Sequence, residues 1–323
     1  MKKVTVSAPG KLMLFGEHAV VYGRPCIVTA VNQRMKTTVE LTSEPDFELN
    51  APDVKVLDYK KPMSKVGSGE IPKGAKFVEI ALKNFLDKYP FEGGIKVSTT
   101  SEFSSEFGFG SSSASTVCMI KALSELIGDN LDNKSIFDLS LKTVLDIQGK
   151  GSGFDVAAAT YGGTLYYITP GKVIEPINIS SLPLIVGYSG IKFETVTLVN
   201  QVAKLAEKYP QVVENIYSQI EKLVNQAKVA LINQDWQTLG DLMNFNEGLL
   251  ASLGVEGQKL ADMIYSARDA GAYGAKLSGS GIGDCMISIA SDESSQTVKD
   301  AITQSGGLVI DVETNVEGVR VEK

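Results

Sequence analysis

Residues 7–25 read SAPGKLMLFGEHAVVYGRP, a largely apolar run in which the polar side chains of Lys11, Glu17 and His18 stand out. Polar groups in a buried segment need partners, so these three either pair with one another or face a cleft. Alone, such a histidine is usually a satisfied core residue, and a lysine at a strand end usually reaches solvent. Together they favour a polar pocket, and the segment therefore predicts a functional site near the start of the chain.

Three segments rich in glycine and serine lie at transitions between predicted strands and helices: EFGFGSSSAST at 106–116, GKGSGFD at 149–155 and SGSGIGD at 278–284. A helix N-terminus offers unpaired N–H groups, and glycine lets a phosphate approach the backbone closely. Serine hydroxyls there can bind phosphate oxygens or Mg²⁺. The first segment is neither a Walker A loop nor a dinucleotide fingerprint. Taken alone, it fits a serine-capped helix as well as a phosphate loop, and 278–284 fits a tight turn.

Asp155 follows Gly153 and Phe154 and precedes the alanine-rich stretch VAAAT. One interpretation is an N-cap, a position that aspartate fills well. The other is a carboxylate at a helix start, where the dipole favours its charged form, close to the acceptor of a phosphoryl group. The two interpretations are compatible.

Composition excludes several classes of function. The 323 residues carry a net charge of −7 and no cluster of lysine and arginine, which argues against nucleic acid or an anionic membrane as the main partner. The single histidine, His18, makes histidine-rich metal sites improbable. Cys26, Cys118 and Cys285 lack metal-ligand spacing and are expected to be buried thiols. Because no signal peptide or long apolar stretch is found, we expect a cytoplasmic protein.

The order of predicted elements indicates an α+β protein, because runs of strands flank a helical block. A lobe boundary is expected near 175–185, which gives an N-terminal lobe at 1–180 and a C-terminal lobe at 181–323. Segment 44–75, rich in Pro, Asp, Lys and Gly, is predicted to be irregular. Strands are predicted at 2–7, 26–42, 95–100, 164–169, 184–190, 284–290, 307–311 and 317–322, and helices at 76–88, 117–128, 134–147, 194–208, 211–233, 235–252 and 256–270.

In this order, the three motif segments resemble the signature motifs of the GHMP kinase superfamily. APGKLMLFGEHAVVYGRP is similar to the first motif of mevalonate kinases, GFGSSSAS to the phosphate loop GLGSSAA, and KLSGSGIGDC at 276–285 to the third motif KLTGAGGGGC. The segment LGDLMNFNEGLLASLGV at 239–255 resembles the helical region that precedes the third motif in archaeal-type mevalonate kinases. The resemblance covers essentially the whole chain.

The resemblance implies transfer of phosphate from ATP, with Mg²⁺, to the primary hydroxyl of mevalonate, a step of isoprenoid biosynthesis. It implies a ribosomal-S5-like N-terminal lobe and a ferredoxin-like C-terminal lobe with the active site between them. Lys11 and Asp155 would be catalytic, Ser112 would also bind the metal, and Lys11 would also contact the acceptor. Carried over by position, the phosphate-binding residues would be Gly108, Gly110, Ser111, Ser112, Ser113, Gly279, Ser280 and Gly281, and the acceptor would meet Glu17, His18 and Ser152.

Three positions depart from the family pattern. Mevalonate kinases usually place a Mg²⁺-binding glutamate eleven residues before the catalytic aspartate, where this chain has Val144, and whether nearby Asp146 replaces it stays open. Gly151 stands where a proline is usual, so GSGFDVAAA is closer to phosphomevalonate kinases. The residues SSEF before the phosphate loop also differ from the usual lead-in.

Two other functions are left open. A phosphomevalonate kinase would need additional cations near the acceptor, for which Lys150 and Lys192 are candidates, although His18 argues against it because an aromatic residue is usual there. A non-catalytic sensor of the same fold would not need Lys11 and Asp155. The sequence leaves the oligomeric state open, with a homodimer as one option.

Overall fold

The computed structural model describes residues 2–323. Over that range the chain forms twelve strands and nine α-helices. The strands are β1 (Lys3–Phe15), β2 (Cys26–Thr42), β3 (Asp46–Ala51), β4 (Val56–Pro62), β5 (Gly94–Ser101), β6 (Thr164–Ile168), β7 (Val173–Pro176), β8 (Leu184–Tyr188), β9 (Gly274–Ser278), β10 (Cys285–Ile289), β11 (Leu308–Ile310) and β12 (Arg320–Val321). The helices are α1 (Lys76–Leu86), α2 (Ser111–Ile127), α3 (Asn133–Gln148), α4 (Phe154–Tyr161), α5 (Thr195–Lys208), α6 (Pro210–Asn233), α7 (Trp236–Ser252), α8 (Gln258–Asp269) and α9 (Asp292–Gln304).

Strands β1 and β2 form the centre of an eight-stranded sheet with the path β12-β1-β2-β5-β3-β4. They pair antiparallel from Lys3 opposite Glu40 to Phe15 opposite Ile27, with β6 and then β7 continuing beside the first half of β2. The predicted pairing of the first two strands is confirmed. β1 extends well past residue 7 because the apolar residues of its second half are buried under helices α2 and α4.

The second sheet has the order β11-β8-β10-β9 with antiparallel pairs, and helices α7, α8 and α9 pack against it. Helices α5 to α8 lie within about two residues of their predicted bounds. The apolar stripe predicted on α6 is buried along most of its length, including Val213, Ile220, Val224 and Ala227. The predicted α+β class is therefore confirmed.

The prediction of an irregular 44–75 is wrong for residues 46–62, because β3 and β4 form an antiparallel pair at the edge of the first sheet, whereas residues 63–75 contain turns and one short 3-10 helix. Phe47, Leu49 and Ala51 alternate into the core, whereas most of β4 faces solvent and ends at Pro62. An edge strand tolerates the charged residues and proline that suggested a loop. Helix α9 and strands β7 and β9 were also not predicted.

After the second sheet the chain returns to the first, where Val321 of β12 pairs with Val6 of β1. Buried Arg34 holds this segment: its guanidinium donates hydrogen bonds to the carbonyl oxygens of Glu317 (2.9 Å) and Gly318 (2.7 Å) and to the Ser7 hydroxyl (2.7 Å). Strands β1 to β7 belong to the first sheet and β8 to β11 to the second, so the chain passes from one sheet to the other between Pro176 and Leu184. β12 is the exception, because it follows the second sheet in sequence but belongs to the first. All three cysteines are buried and free, as expected.

Candidate active site

The predicted phosphate loop ends in a glycine that starts a helix. Gly108 and Gly110 both have positive φ (74° and 80°), and Gly110 is the N-cap of α2. The helix begins at Ser111, so the expectation of a serine cap is wrong, and glycine fills that position because the backbone is left-handed there. The N–H groups of the first helical turn, at Ser111, Ser112 and Ser113, are not used inside the helix, which leaves a site suited to an anion.

Asp155 lies at the start of α4 and faces this loop. Its Oδ2 accepts a hydrogen bond of 2.6 Å from the Ser113 hydroxyl, and its Oδ1 accepts one of 3.0 Å from the Val156 N–H. The N-cap of α4 is Gly153, with φ of 83°, so the interpretation of Asp155 as the cap is wrong. The carboxylate instead belongs to the first turn of α4.

Lys11 on β1 lies between the loop and Asp155. Its Nζ donates a hydrogen bond of 2.7 Å to the Gly108 carbonyl and lies 5.4 Å from the centre of the Phe154 ring. A Cβ on Gly110 would lie 3.4 Å from Lys11 side-chain carbons and 3.6 Å from the Asp155 Cβ. Burial lowers the pKa of Lys11, while the charges of Asp155 and Asp284 oppose that shift. The two residues predicted to be catalytic therefore meet at the helix start.

The third glycine-rich segment joins β9 to β10 and contacts the first motif at two points. The Ser278 hydroxyl donates to the Met13 carbonyl (2.9 Å) and accepts from the Met13 N–H (3.1 Å). His18 Nε2 lies 2.9 Å from the Ser280 carbonyl, so the neutral ring donates from that nitrogen. Gly281 cannot carry a side chain, because a Cβ would lie 2.1 Å from the Val255 carbonyl oxygen.

Glu17 forms an ion pair with Lys276 of β9, and neither side chain is exposed. The Glu17 Oε2 has no hydrogen-bond partner among residues 2–323. Burial raises the pKa of Glu17, and the charge of Lys276 opposes this shift. Beside the pair, Glu247 of α7 accepts a hydrogen bond of 2.8 Å from the Leu277 N–H, and burial raises the pKa of Glu247 to about 7. Sequence reasoning missed Lys276, although a lysine in an otherwise apolar strand could have indicated a buried partner.

The two groups of polar residues are neighbours through Cys26. Burial raises the pKa of the Cys26 thiol well above its ordinary value, and the negative charges of Glu17 and Asp155 act in the same direction. Ser152, predicted to contact the acceptor, is buried in the loop before Asp155. Its carbonyl accepts hydrogen bonds from the hydroxyls of Tyr167 (2.5 Å) and Thr169 (2.8 Å), which fix this loop.

Asp284, at the start of β10, is a residue of the site that sequence reasoning missed. It is 5% exposed, and its Oδ1 accepts a hydrogen bond of 2.9 Å from Lys192. A Cβ on Gly108 would lie 2.7 Å from its Oδ2, so the carboxylate packs against the phosphate loop. The φ of Asp284 is 59°, a value that favours glycine. The third-motif pattern KLTGAGGGGC has glycine at this position, and this departure from the pattern could have identified Asp284 from the sequence.

Helix α3 contributes no carboxylate to this site at the position expected from the family. Val144 is buried and apolar, and Asp146 accepts hydrogen bonds from Lys142 (2.5 Å) and from Asn84 Nδ2 (2.8 Å). Within residues 2–323, no group of three His, Cys, Asp or Glu side chains could hold a metal. A metal ion here would therefore depend on few protein ligands together with the phosphates, which is usual for Mg²⁺.

Comparison with known proteins agrees with this geometry. The family description "GHMP kinases N terminal domain" matches residues 76–163, and "GHMP kinases C terminal" matches residues 227–307. A mevalonate kinase of Thermococcus gammatolerans is 37% identical over 333 residues, which cover 99% of each chain. The chain belongs to the mevalonate kinase family. Membership in this family makes it an ATP-dependent phosphotransferase with a small-molecule alcohol as acceptor.

Two solved structures support the same family. The mevalonate kinase of Methanococcus jannaschii is 27% identical, with a TM-score of 0.82 over 97% of this chain and 98% of the other. The L. major mevalonate kinase, solved in complex with R-mevalonate, is also 27% identical, with a TM-score of 0.79 over 98% and 96% of the two chains. Among residues 2–323, no helix is both long and apolar enough to cross a bilayer.

Proposed function

We propose that this protein transfers the γ-phosphoryl group of ATP to the primary hydroxyl of mevalonate, giving 5-phosphomevalonate and ADP. The observation that carries the proposal is the meeting of Lys11, Asp155 and Gly110 at the start of α2. A cation, a carboxylate and free N–H groups at one point are the parts that phosphoryl transfer needs, since positioning and charge stabilisation supply most of the catalysis.

The ATP phosphates would lie against the first turn of α2, with Gly108, Gly110, Ser111 and Ser112 around them. Residues 279–281 would close the other side. The hydroxyl of Ser112 makes no hydrogen bond to residues 2–323, so it can act as a Mg²⁺ ligand, and the hydroxyl of Ser113 orients Asp155. Mg²⁺ would neutralise part of the phosphate charge when it is bound with ATP.

Asp155 would orient the acceptor hydroxyl and take its proton as the oxygen attacks the γ-phosphorus. The bond from that phosphorus to the β–γ bridging oxygen breaks, and ADP leaves with the electron pair. Lys11 would stabilise the negative charge on the transferring group, since its buried ammonium is close to both Gly108 and Gly110. Glu17, His18 and Ser152 would line the mevalonate end of the site, where the Glu17 Oε2 remains available.

The alternative, phosphomevalonate kinase, needs a free cation near the acceptor. Lys192 instead pairs with Asp284 beside the phosphate loop, and Lys150 donates a hydrogen bond of 2.7 Å to Asn200 of α5. These contacts favour an acceptor without a phosphate. The position of both Lys11 and Asp155 beside Gly110 argues against a non-catalytic sensor. We also propose lobes at 1–180 and 181–323, with β12 returning to the first.

An ADP-release assay tests the proposal by offering mevalonate, 5-phosphomevalonate, galactose and homoserine in parallel. We expect turnover with mevalonate and little with the others. Turnover with 5-phosphomevalonate alone would overturn the proposed acceptor, and ATP binding without turnover on any acceptor would support the sensor. The Lys11→Met variant should bind ATP yet lose turnover, which separates a catalytic from a structural role.

A further inference from the structure

The carboxylate of Asp284 has one oxygen held and one oxygen without a donor. Oδ1 accepts the hydrogen bond from Lys192, whereas Oδ2 accepts none from residues 2–323 and packs against Gly108. Its side chain is 7% exposed, and the residue has a φ of 59°, in the left-handed region that favours glycine. Oδ2 is not one of the fully enclosed oxygen atoms that lack a partner, so it remains accessible to a ligand.

The position of this oxygen places it within the phosphate site. Lys11 donates a hydrogen bond of 2.7 Å to the Gly108 carbonyl, and a Cβ on the same glycine would lie 2.7 Å from Asp284 Oδ2, so the ammonium and the carboxylate contact the same residue of the loop. A carboxylate beside a bound polyphosphate repels it unless a cation lies between them. A nucleotide bound here would therefore require a cation between its phosphates and Asp284.

Helix α3 does not supply an acidic ligand at the position where mevalonate kinases usually have a Mg²⁺-binding glutamate. Val144 is apolar, and Asp146 is engaged by Lys142 and Asn84. Mg²⁺ in nucleotide sites is usually bound by one or two carboxylates together with phosphate oxygens and waters. Asp284 is thus a buried carboxylate that faces the phosphate loop and retains an unpaired oxygen.

Lys192 is the hydrogen-bond donor that orients the Asp284 carboxylate. Carboxylates that bind metals are themselves held by hydrogen bonds, which fix their orientation. The Lys192 ammonium does this through Oδ1 at 2.9 Å and leaves Oδ2 directed at Gly108. Its side chain is 43% exposed, so it closes the solvent side of the carboxylate without filling the site.

We propose that Asp284 would bind, through Oδ2, the Mg²⁺ that accompanies the nucleotide, and would take the place of the family's glutamate, where this chain has Val144. This inference rests on the proposed function. It assigns to the third motif of this chain a metal-binding role, and it accounts for the presence of aspartate where the backbone favours glycine.

The test uses Mn²⁺ as the metal and β,γ-imido-ATP as the nucleotide, with the full chain. Nucleotide affinity is measured by calorimetry with and without Mn²⁺, and bound Mn²⁺ by its electron paramagnetic resonance signal. In Asp284→Asn and Asp284→Gly we expect the affinity for Mn²⁺ in the ternary complex to fall about 10- to 100-fold. Metal-free nucleotide should bind at least as well as to the wild type, because a negative charge is removed.

Asp284→Gly guards against misfolding, since glycine suits the φ of 59°. Asp146→Asn is the matched control and should keep the wild-type affinity for Mn²⁺. Unchanged Mn²⁺ affinity in both Asp284 variants, or a loss in Asp146→Asn instead, would overturn the inference. A wild type that binds no nucleotide would instead refute the proposed function, so the two failures are distinguishable.

Discussion

Glu17 and Lys276 form an ion pair across the two sheets in which neither side chain has any exposed surface. Glu17 follows β1 and Lys276 lies on β9, so the pair joins the first motif to the third. A buried pair of this kind is costly to desolvate, and removal of one partner leaves an uncompensated charge in the interior.

Lys276→Met is expected to destabilise the protein by about 3–5 kcal/mol, because it leaves the buried carboxylate of Glu17 without the cation that pairs with it. The double variant Glu17→Gln with Lys276→Met should be more stable than the single variant. Urea unfolding measures both. The control is Lys134→Met, which breaks an exposed pair with Asp138 and should cost at most about 0.5 kcal/mol. Equal costs for the two lysine variants would contradict the importance of the buried pair.

Asp155→Asn should lower kcat by about 10²- to 10⁴-fold, because an amide cannot take the proton of the acceptor hydroxyl. The Ser113 hydroxyl can still donate to the amide oxygen, so the local fold should persist. Steady-state kinetics with mevalonate and calorimetry with ATP separate the loss of rate from any loss of binding. A wild-type rate in Asp155→Asn would refute the role given to this carboxylate.

Ser112→Ala is expected to lower kcat or the affinity for Mg²⁺ without a measurable change in the melting temperature. The hydroxyl makes no contact that the fold needs, yet it lies in the first turn of α2. Ser115→Ala, one turn further along the same helix, is the control and should match the wild type. If the rate and the metal affinity stay unchanged in Ser112→Ala, the serine is only part of a helix start.

The alkaline limb of kcat/KM should respond in opposite directions to two variants near Lys11. Lys11 must keep its proton to stabilise the phosphoryl charge, and burial already lowers its pKa. Asp284 raises that pKa and Lys192 lowers it. At saturating Mg²⁺, Asp284→Asn should therefore move the loss of activity to lower pH, and Lys192→Met should move it to higher pH. Shifts in the same direction would show that another group controls this limb.

Glu247 should make the protein less stable as the pH rises toward neutrality. Burial raises its pKa from 4.5 to about 7, so between these values the folded state binds more protons than the unfolded state. Stability from this group is present at the acid end of that window and is lost as the pH rises through about 7. Glu247→Gln should flatten the melting temperature between about pH 5 and pH 8. The charges of Lys276, Glu256 and Arg268 face this carboxyl, and an unchanged profile in Glu247→Gln would show that Glu247 is not the source of the pH dependence.

Local patterns in the sequence predicted the helices well, but they predicted poorly which strands and which side chains pair with one another. Helices α5 to α8 follow from amphipathic spacing, which is a property of neighbouring residues. The pair of β3 and β4 was missed because its edge position admits residues typical of loops. The family, fold class and kinase function predicted from the motifs are confirmed. The residue roles and the lobe bounds stay predictions.

Lys276 and Asp284 could not be assigned from the sequence because their partners are distant in the chain. Lys276 and Glu17 are separated by 259 positions, and Asp284 and Lys192 by 92. A charged residue in an apolar strand indicates that a partner exists, yet only the folded chain identifies it. The site depends on such pairs between motifs, whereas each motif alone specifies a loop and a helix start.

The return of β12 to β1 sets the order in which the protein can be completed during synthesis. The ribosome makes strands β8 to β11 before residues 317–321 emerge, and until then the buried guanidinium of Arg34 lacks the carbonyl oxygens of Glu317 and Gly318. Until residues 317–321 are made, Val6 and Ser7 of β1 have no strand beside them on that side. A nascent chain that stops before residue 317 would expose this part of β1 to other strands, so completion of the first sheet depends on a segment that is translated after the whole second sheet.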